Sequence, residues 1–220
     1  MHRKPLLDLL AGYRAAHPDE RACVDRVDAL VRSQRDCFER SCVPGHITAS
    51  AWLLSPDGKR FLLTHHRKLG RWLQLGGHAD GDSDVAAVAL REAREESGLA
   101  DLRFATGPDS WSRLSPTARY AGGSRLSPTA RYAGPETPLP IDLDVHRIPA
   151  RGDEPAHDHH DVRFVLVAAP GQTIFASDES TALEWFEMDA LETVADDESV
   201  LRLGRKVRRL LETSALRLFA

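Results

Sequence analysis

Cysteine is scarce in this 220-residue sequence, which has three: Cys23, Cys37 and Cys42. An odd number, without metal-ligand spacing, excludes a complete disulfide framework and a cysteine-based zinc site. Part-buried, reduced thiols of a cytoplasmic protein are expected instead. Long apolar runs are also missing. The longest strong one, FVLVAA from Phe164 to Ala169, falls far short of the roughly 20 residues a membrane-spanning helix needs, so no membrane partner is expected. The opening MHRKPLLDLLAGY has the outline of a signal peptide, but Asp8 interrupts its apolar stretch and no cleavage site follows. Positive charge is not in excess either. With 29 Lys and Arg against 33 Asp and Glu, the net charge of -4 gives no basis for non-specific nucleic-acid binding. A chain of this length sustains one sizeable core plus extensions and hardly two domains.

The patterns present begin with helices. Leu6, Leu7, Leu9, Leu10 and Tyr13 line one side of a first helix opened by Pro5. A second is expected after Pro18, carrying Ala22, Val24, Val27, Leu30 and Val31 and ending around Cys37. Together they read as a helical extension over residues 1–42. The period then changes. HITASAWLLS and RFLLTHH read as a hairpin around the turn PDGK, and RWLQL as a third strand running into Gly76-Gly77. A helix from about Asp84 to Ser97 follows, with Gly98 as a left-handed stop and Ser83 or Asp82 as its cap. DLRFA, IDLDVHRIPA, VRFVLVAA and ALEWFEM are further strands, and DDESVLRLGRKVRRLLETS is an amphipathic C-terminal helix. Its basic cluster (Arg202, Arg205, Lys206, Arg208, Arg209) is expected on a solvated face. Strands interleaved with helices predict a layered mixed sheet under helical cover, an α/β (α+β) fold.

SRLSPTARYAG occurs twice, at Ser112–Gly122 and Ser124–Gly134. Two short copies make no solenoid. The segment from 108 to 138 reads as a long surface loop, either a tolerated duplication or a lid presenting Arg113, Arg119, Arg125 and Arg131 to an anion.

The helix after Gly76-Gly77 carries the chemistry. At about 100° per residue, Glu92, Glu95 and Glu96 share an arc of roughly 100°, beside a stripe of Ala86, Ala89, Leu90 and Ala93. Arg91 is placed to pair with Glu95 at i,i+4, and Arg94 points to solvent. Carboxylates gathered in this way repel one another unless a cation joins them. A hard divalent ion such as Mg²⁺ or Mn²⁺ prefers such oxygen ligands and shares its shell with phosphates. A glutamate-rich helix by itself is also the pattern of a solvated face.

The spacing is more specific than the wheel. From Gly77 to Leu99 the chain runs G-x5-S-x7-R-E-A-x-E-E-x-G-L. This resembles the Nudix box, G-x5-E-x7-R-E-U-x-E-E-x-G-U with U apolar, departing only at Ser83. The resemblance implies a Nudix-like α/β/α sandwich over residues 43–220, and a hydrolase that cleaves a nucleoside diphosphate linked to another moiety with Mg²⁺ or Mn²⁺. It implies that Glu95 and Glu96 ligate the metal, that Glu92 is a third ligand or the base for water, that Arg91 orients these carboxylates, and that the Gly77 carbonyl touches the metal. It further implies a nucleotide or diphosphate substrate and a homodimer as in many relatives, while the acidic balance speaks against a nucleic-acid partner. Ser83 stands where the family has a supporting glutamate, which leaves open a catalytically weak nucleotide-binding or sensor module. Leu75 stands where many members have proline before the two glycines. The family's isomerase branch is disfavoured by the hydrolase-like box.

Other candidates surround the box. His65, His66, Arg67, Lys68 and Arg71 precede the Gly-Gly loop, where one or two could hold phosphate or form an exposed basic turn. His78 follows the glycines and is a further substrate-binding candidate. EPAHDHHDVRF brings His157, His159 and His160 among acids. Imidazole suits zinc, but without a cysteine or a helical histidine pair the segment reads as a polar loop, with His159 the candidate to touch substrate. Asp178 and Glu179 are late-loop acids placed to complete a metal shell.

Overall fold

The apolar spacing of the first residues folds as two helices, α1 (Lys4–Ala16) and α2 (Arg21–Ser33), with Pro5 in the first turn of α1. This is a computed structural model, and it describes residues 2–106, 138–178 and 180–218. The duplicated SRLSPTARYAG segment and Glu179 lie outside the described residues. Helix α2 ends at Ser33, earlier than Cys37, because Gln34 turns to extended backbone. Cys37 and Phe38 are nevertheless fully buried in the turn that follows.

Eight strands form one mixed sheet among the described residues. In chain order they are β1 (Gly45–Leu54), β2 (Arg60–His66), β3 (Arg71–Leu73), β4 (Leu75–His78), β5 (Leu102–Phe104), β6 (Asp142–Ile148), β7 (His157–Ala168) and β8 (Ser180–Glu187). Central β1 runs parallel to β7 over its whole length, from Gly45↔Asp158 to Leu54↔Val167, and every other pairing is antiparallel. RWLQL is two strands rather than one. At Gln74 the chain leaves the edge of β2 and joins β1, so Trp72 faces His65 while Gly76 faces Ser50. The segment expected as a polar loop, His157 to His160, is the first part of β7, because β1 and β6 pair it on both sides.

Alternation along β1 divides the core. Ile47 and Ala49, with Val162 and Phe164 of β7, pack under α1, α2 and α3 (Val85–Ser97). Ala51 and Leu53 continue that face toward the end of α3, around Leu90, Ala93 and Leu99. Trp52, Leu54, Val165 and Val167 face the other way, onto the one-turn helix α4 (Leu191–Val194) and the C-terminal helix α5 (Glu198–Glu212). Helical layers on both faces of a mixed sheet bear out the predicted sandwich. No helix among the described residues is long and apolar enough to cross a membrane. The three cysteines are free, and burial pushes each thiol up to about 11, as suits packing rather than reactivity.

On the second face the apolar patch gives way to a buried charge network. Arg163 is 2% exposed and reaches Asp161 at 2.8 Å, Asp142 at 3.2 Å and Asp144 at 3.3 Å. It also donates to the Ser199 carbonyl at the head of α5. The basic face of α5 is only partly solvated, contrary to expectation. Arg202 binds Asp142 and Asp144, each at 2.9 Å, and Lys206 reaches Asp142, Glu20 and the Tyr13 hydroxyl. These two cations dock α5 onto the carboxylates that Arg163 alone does not neutralise. Arg205 and Arg208 do stay outside, on Glu192 and Glu198.

Tyr13 joins the two ends of the chain, donating to Glu20 while Lys206 donates to it. Burial, the charge of Asp142 and the bond to Glu20 push its phenol well above the usual value near 10. The fold thus prefers the neutral phenol. Its contribution is complete below the unfolded value and is lost as pH rises past it, since only the unfolded chain then releases the proton. Thermal unfolding should show a midpoint that falls steeply above about pH 10, with a shallower fall in Tyr13→Phe. Equal slopes in the two proteins would contradict this role.

Candidate active site

Local chemistry sets the acidic helix. Asp84, not Ser83 or Asp82, is the N-cap of α3: its carboxylate accepts from the Ala87 N–H at 3.1 Å, while the Asp82 carboxylate accepts from the Asp84 N–H. Asp84 prevails because the helix starts one residue later than a cap at 83 would require. Gly98 ends α3 with φ 71, in the left-handed region open to glycine, and its N–H returns to the Arg94 carbonyl. Ala86, Ala89 and Ala93 are fully buried, and their small size brings α3 close to β1 and β4.

That approach seats Glu92 directly on the Gly-Gly strand. A Cβ at Gly77 would lie 2.4 Å from Glu92 Oε2, so only glycine leaves room for the carboxylate against the backbone. Arg91 holds the other oxygen. Its Nη2 donates to Glu92 Oε1 at 2.7 Å and to the His78 carbonyl at 2.9 Å, clamping α3 to β4. The i,i+4 pairing with Glu95 expected for Arg91 is replaced by this adjacent one, since the His78 carbonyl draws the guanidinium toward β4. Burial raises the Glu92 carboxyl above its ordinary value, Arg91 opposes the rise, and the charge of Glu95 adds to it. Glu95 is exposed and Glu96 half-buried on the same helix. Ser83 is half-buried in the stretch leading into the helix. Arg91 is already engaged without any carboxylate at position 83.

The outlying candidates are placed elsewhere. Arg67 donates to the carbonyls of Asp178 and Ser180, each at 3.0 Å, and so ties the β2–β3 turn to the start of β8. Arg71 pairs with Asp197, the N-cap of α5, at 2.7 Å. Lys68 is exposed in the turn. The His78 carbonyl belongs to the Arg91 clamp, but its ring, one residue on from Gly77, projects to the other face of the sheet and meets His159. His46 and His146 join those rings, although as lone histidines in separate strands nothing in their local sequence marks them. Asp161 is a further unanticipated polar group, accepting from Ser50 at 2.7 Å and from Thr48 at 3.2 Å beneath β4. A polar residue at every second position of β1 (His46, Thr48, Ser50) was the available signal.

Comparison with known proteins agrees with this arrangement. Residues 44–121 match the family model described as NUDIX domain. A search of curated proteins found no match. Among solved structures, the chain is similar to a Caenorhabditis elegans Ap4A hydrolase in a binary complex, at 17% identity and TM-score 0.50, over 76% of this chain and 98% of that one. It is likewise similar to a NUDIX-family hydrolase from Clostridium perfringens, at 20% identity and TM-score 0.50, over 75% and 97% of the two chains. These likenesses concern the fold, and the family model covers the strand, glycine pair and acidic helix just described. With Glu92 seated on Gly77 under the Arg91 clamp, in the order of the box, residues 44–121 are similar to a NUDIX domain, and the fold of the chain is that of the Nudix hydrolases it resembles.

Proposed function

We infer that the chain hydrolyses a phosphoanhydride bond in a nucleoside diphosphate linked to another moiety, or in a similar substrate, using Mg²⁺ or Mn²⁺. The observation that carries this reading is the seat of Glu92 between the Arg91 guanidinium and the Gly77 backbone. The donors Glu92, Glu95, Glu96 and the Gly77 carbonyl are all oxygen, which suits a hard divalent cation, and these residues would hold it. Such an ion supplies charge neutralisation at the phosphoryl oxygens and a more acidic water. Arg91 fixes Glu92 in one orientation, and the raised proton affinity of Glu92 suits it to accept the proton of the attacking water. Residues 1–42 are read as an extension of the domain at 43–220, since α1 and α2 share an apolar cluster with the sheet and α3.

The substrate panel spans dinucleoside polyphosphates, ADP-ribose, nucleoside triphosphates, nucleotide-sugars and coenzyme A, each tested with Mg²⁺ and with a chelator. Metal-dependent release of a nucleoside monophosphate or phosphate from at least one is expected; silence across the panel with either metal would refute hydrolysis. Ser83 favours a second reading, a binding module of feeble activity. The same assay on Ser83→Glu separates the two. A change of roughly threefold or less is expected, because Arg91 already has its partners. Activity that arises only in Ser83→Glu would establish the binding module.

A further inference from the structure

We propose that His46, His78 and His159 form a second metal site, on the face of the sheet opposite Glu92, that takes an imidazole-preferring transition metal, zinc(II) foremost. The three residues come from β1, β4 and β7, and each offers a ligand nitrogen within 4.8 Å of the other two. Their ring centroids form a nearly regular triangle with sides of 5.1, 4.8 and 5.0 Å. Sheet register produces it: His46 is the direct cross-strand partner of His159, and His78 lies on β4 opposite Thr48. Adjacent residues in a strand face opposite ways. While the Gly77 position faces α3, His78 therefore joins His46 on the far side.

His46 is the observation that points to a ligand. It is 1% exposed, and neither ring nitrogen has a hydrogen-bond partner of acceptable geometry. An unsatisfied buried polar group destabilises a fold, and an apolar side chain would fill the same space without that penalty. A metal ion would use the idle lone pair. Burial holds all three rings below the ordinary imidazole value.

Two flanking histidines are oriented as ligands usually are. His157 Nδ1 sits 2.9 Å from the Pro155 carbonyl, which can only accept, so Nδ1 carries the proton and Nε2 keeps its lone pair. That Nε2 lies 3.3 Å from His159 Nε2, near the ligand-to-ligand spacing of about 3.3 Å on a tetrahedral zinc with Zn–N of ~2.0–2.1 Å. His157 thus borders the site, while among the described residues His46, His78 and His159 are the three that bring ligand nitrogens within 4.8 Å of one another. His146 holds the Asp144 carboxylate at 2.9 Å, the histidine–carboxylate pairing found behind metal ligands. Arg40 is the opposing charge, and its Nε and Nη2 are committed to Asp80. Glu154, 3.8 Å from His157 Nε2, is of the favourable sign. An all-imidazole set selects zinc, nickel or copper over magnesium and manganese, so the two faces would hold different ions. Drawn from β1, β4 and β7, the site acts as a clip fastening β4, and with it Gly77, to the central strands.

The test reads metal binding and does not require turnover. Full-length protein is stripped with a chelator, dialysed, and titrated with Zn²⁺, Co²⁺ and Mg²⁺. About one zinc per chain, the intense visible bands of tetrahedral cobalt, and a higher melting temperature with Zn²⁺ but not Mg²⁺ are expected. His46→Ala, His78→Ala and His159→Ala should each weaken zinc binding by about a hundredfold or more, while Glu96→Gln should leave it within about twofold. Should His46→Ala fail to fold, His159→Gln and the cobalt spectrum of the parent protein decide. Substoichiometric zinc, a weak octahedral cobalt spectrum, or zinc bound as tightly by His78→Ala and His159→Gln as by the parent would overturn the site.

Discussion

Arg163→Met is expected to destabilise the fold by about 3–5 kcal/mol, enough to leave much of the chain unfolded at moderate temperature. Methionine fills a similar volume, so packing is not what the substitution removes. What it removes is the one cation within reach of Asp142, Asp144 and Asp161 together, at a site where Arg163 is 2% exposed and Asp142 fully buried. Asp142 and Asp144 keep Arg202, and Asp142 keeps Lys206 as well. Asp161 keeps only the Thr48 and Ser50 hydroxyls and a distant Gln74 amide. A carboxylate left in that setting must remain ionised against burial or take up a proton, and either raises the energy of the folded state. The link to the Ser199 carbonyl is lost as well, which loosens the head of α5. Denaturant unfolding of Arg163→Met measures the loss, and Arg163→Met with Asp161→Asn should recover part of it. A loss below about 1 kcal/mol would mean that the network is not a buried ionic one.

Glu95→Gln and Glu96→Gln should each lower turnover by roughly a hundredfold or more, with stability changed by less than about 0.5–1 kcal/mol. The asymmetry follows from their place: Glu95 is exposed and Glu96 half-buried on a helix whose stability comes from its opposite, alanine-rich face. Gly77→Ala should act differently. Its Cβ would overlap Glu92 Oε2, the far end of a flexible side chain, so the carboxylate swings away while the strand persists. A fall in kcat of roughly ten- to a hundredfold with little change in the melting temperature is expected. Gly76→Ala supplies the contrast, because its Cβ would meet Ser50 Cα at 2.6 Å and the Ala49 carbonyl at 2.8 Å, both backbone. There the pairing of β4 with β1 must yield, and stability falls along with activity. Steady-state kinetics beside thermal melts distinguish these outcomes, and full turnover in both glutamine variants would end the assignment of the box carboxylates.

Elements held by neighbours in sequence were legible from residues alone. Helix α3 lies within one residue of its expected start, because its small-residue stripe, its cap and the left-handed Gly98 are all local. The hairpin of β1 and β2 and the amphipathic α5 follow for the same reason, since period and turn chemistry act over a few residues. The box spacing was likewise readable, as one helix and the strand before it carry all of it. Where partners come from far along the chain, local pattern misled. Arg202 and Lys206 read as solvated because nothing near them shows that Asp142 waits some sixty residues earlier, without enough cations of its own. RWLQL read as one strand because only the position of β1 makes Gln74 a point of exchange.

The sequence by itself determined the acidic helix, its arginine and its glycine pair, for those depend on periodicity and spacing within about two dozen residues. Tertiary structure alone decided that Arg91 grips Glu92, that HDHH is strand, and that rings from β1, β4 and β7 converge. The physical reason is register. Pairing β1 parallel to β7 sets which residues oppose one another across more than a hundred intervening positions, and no local propensity encodes that choice.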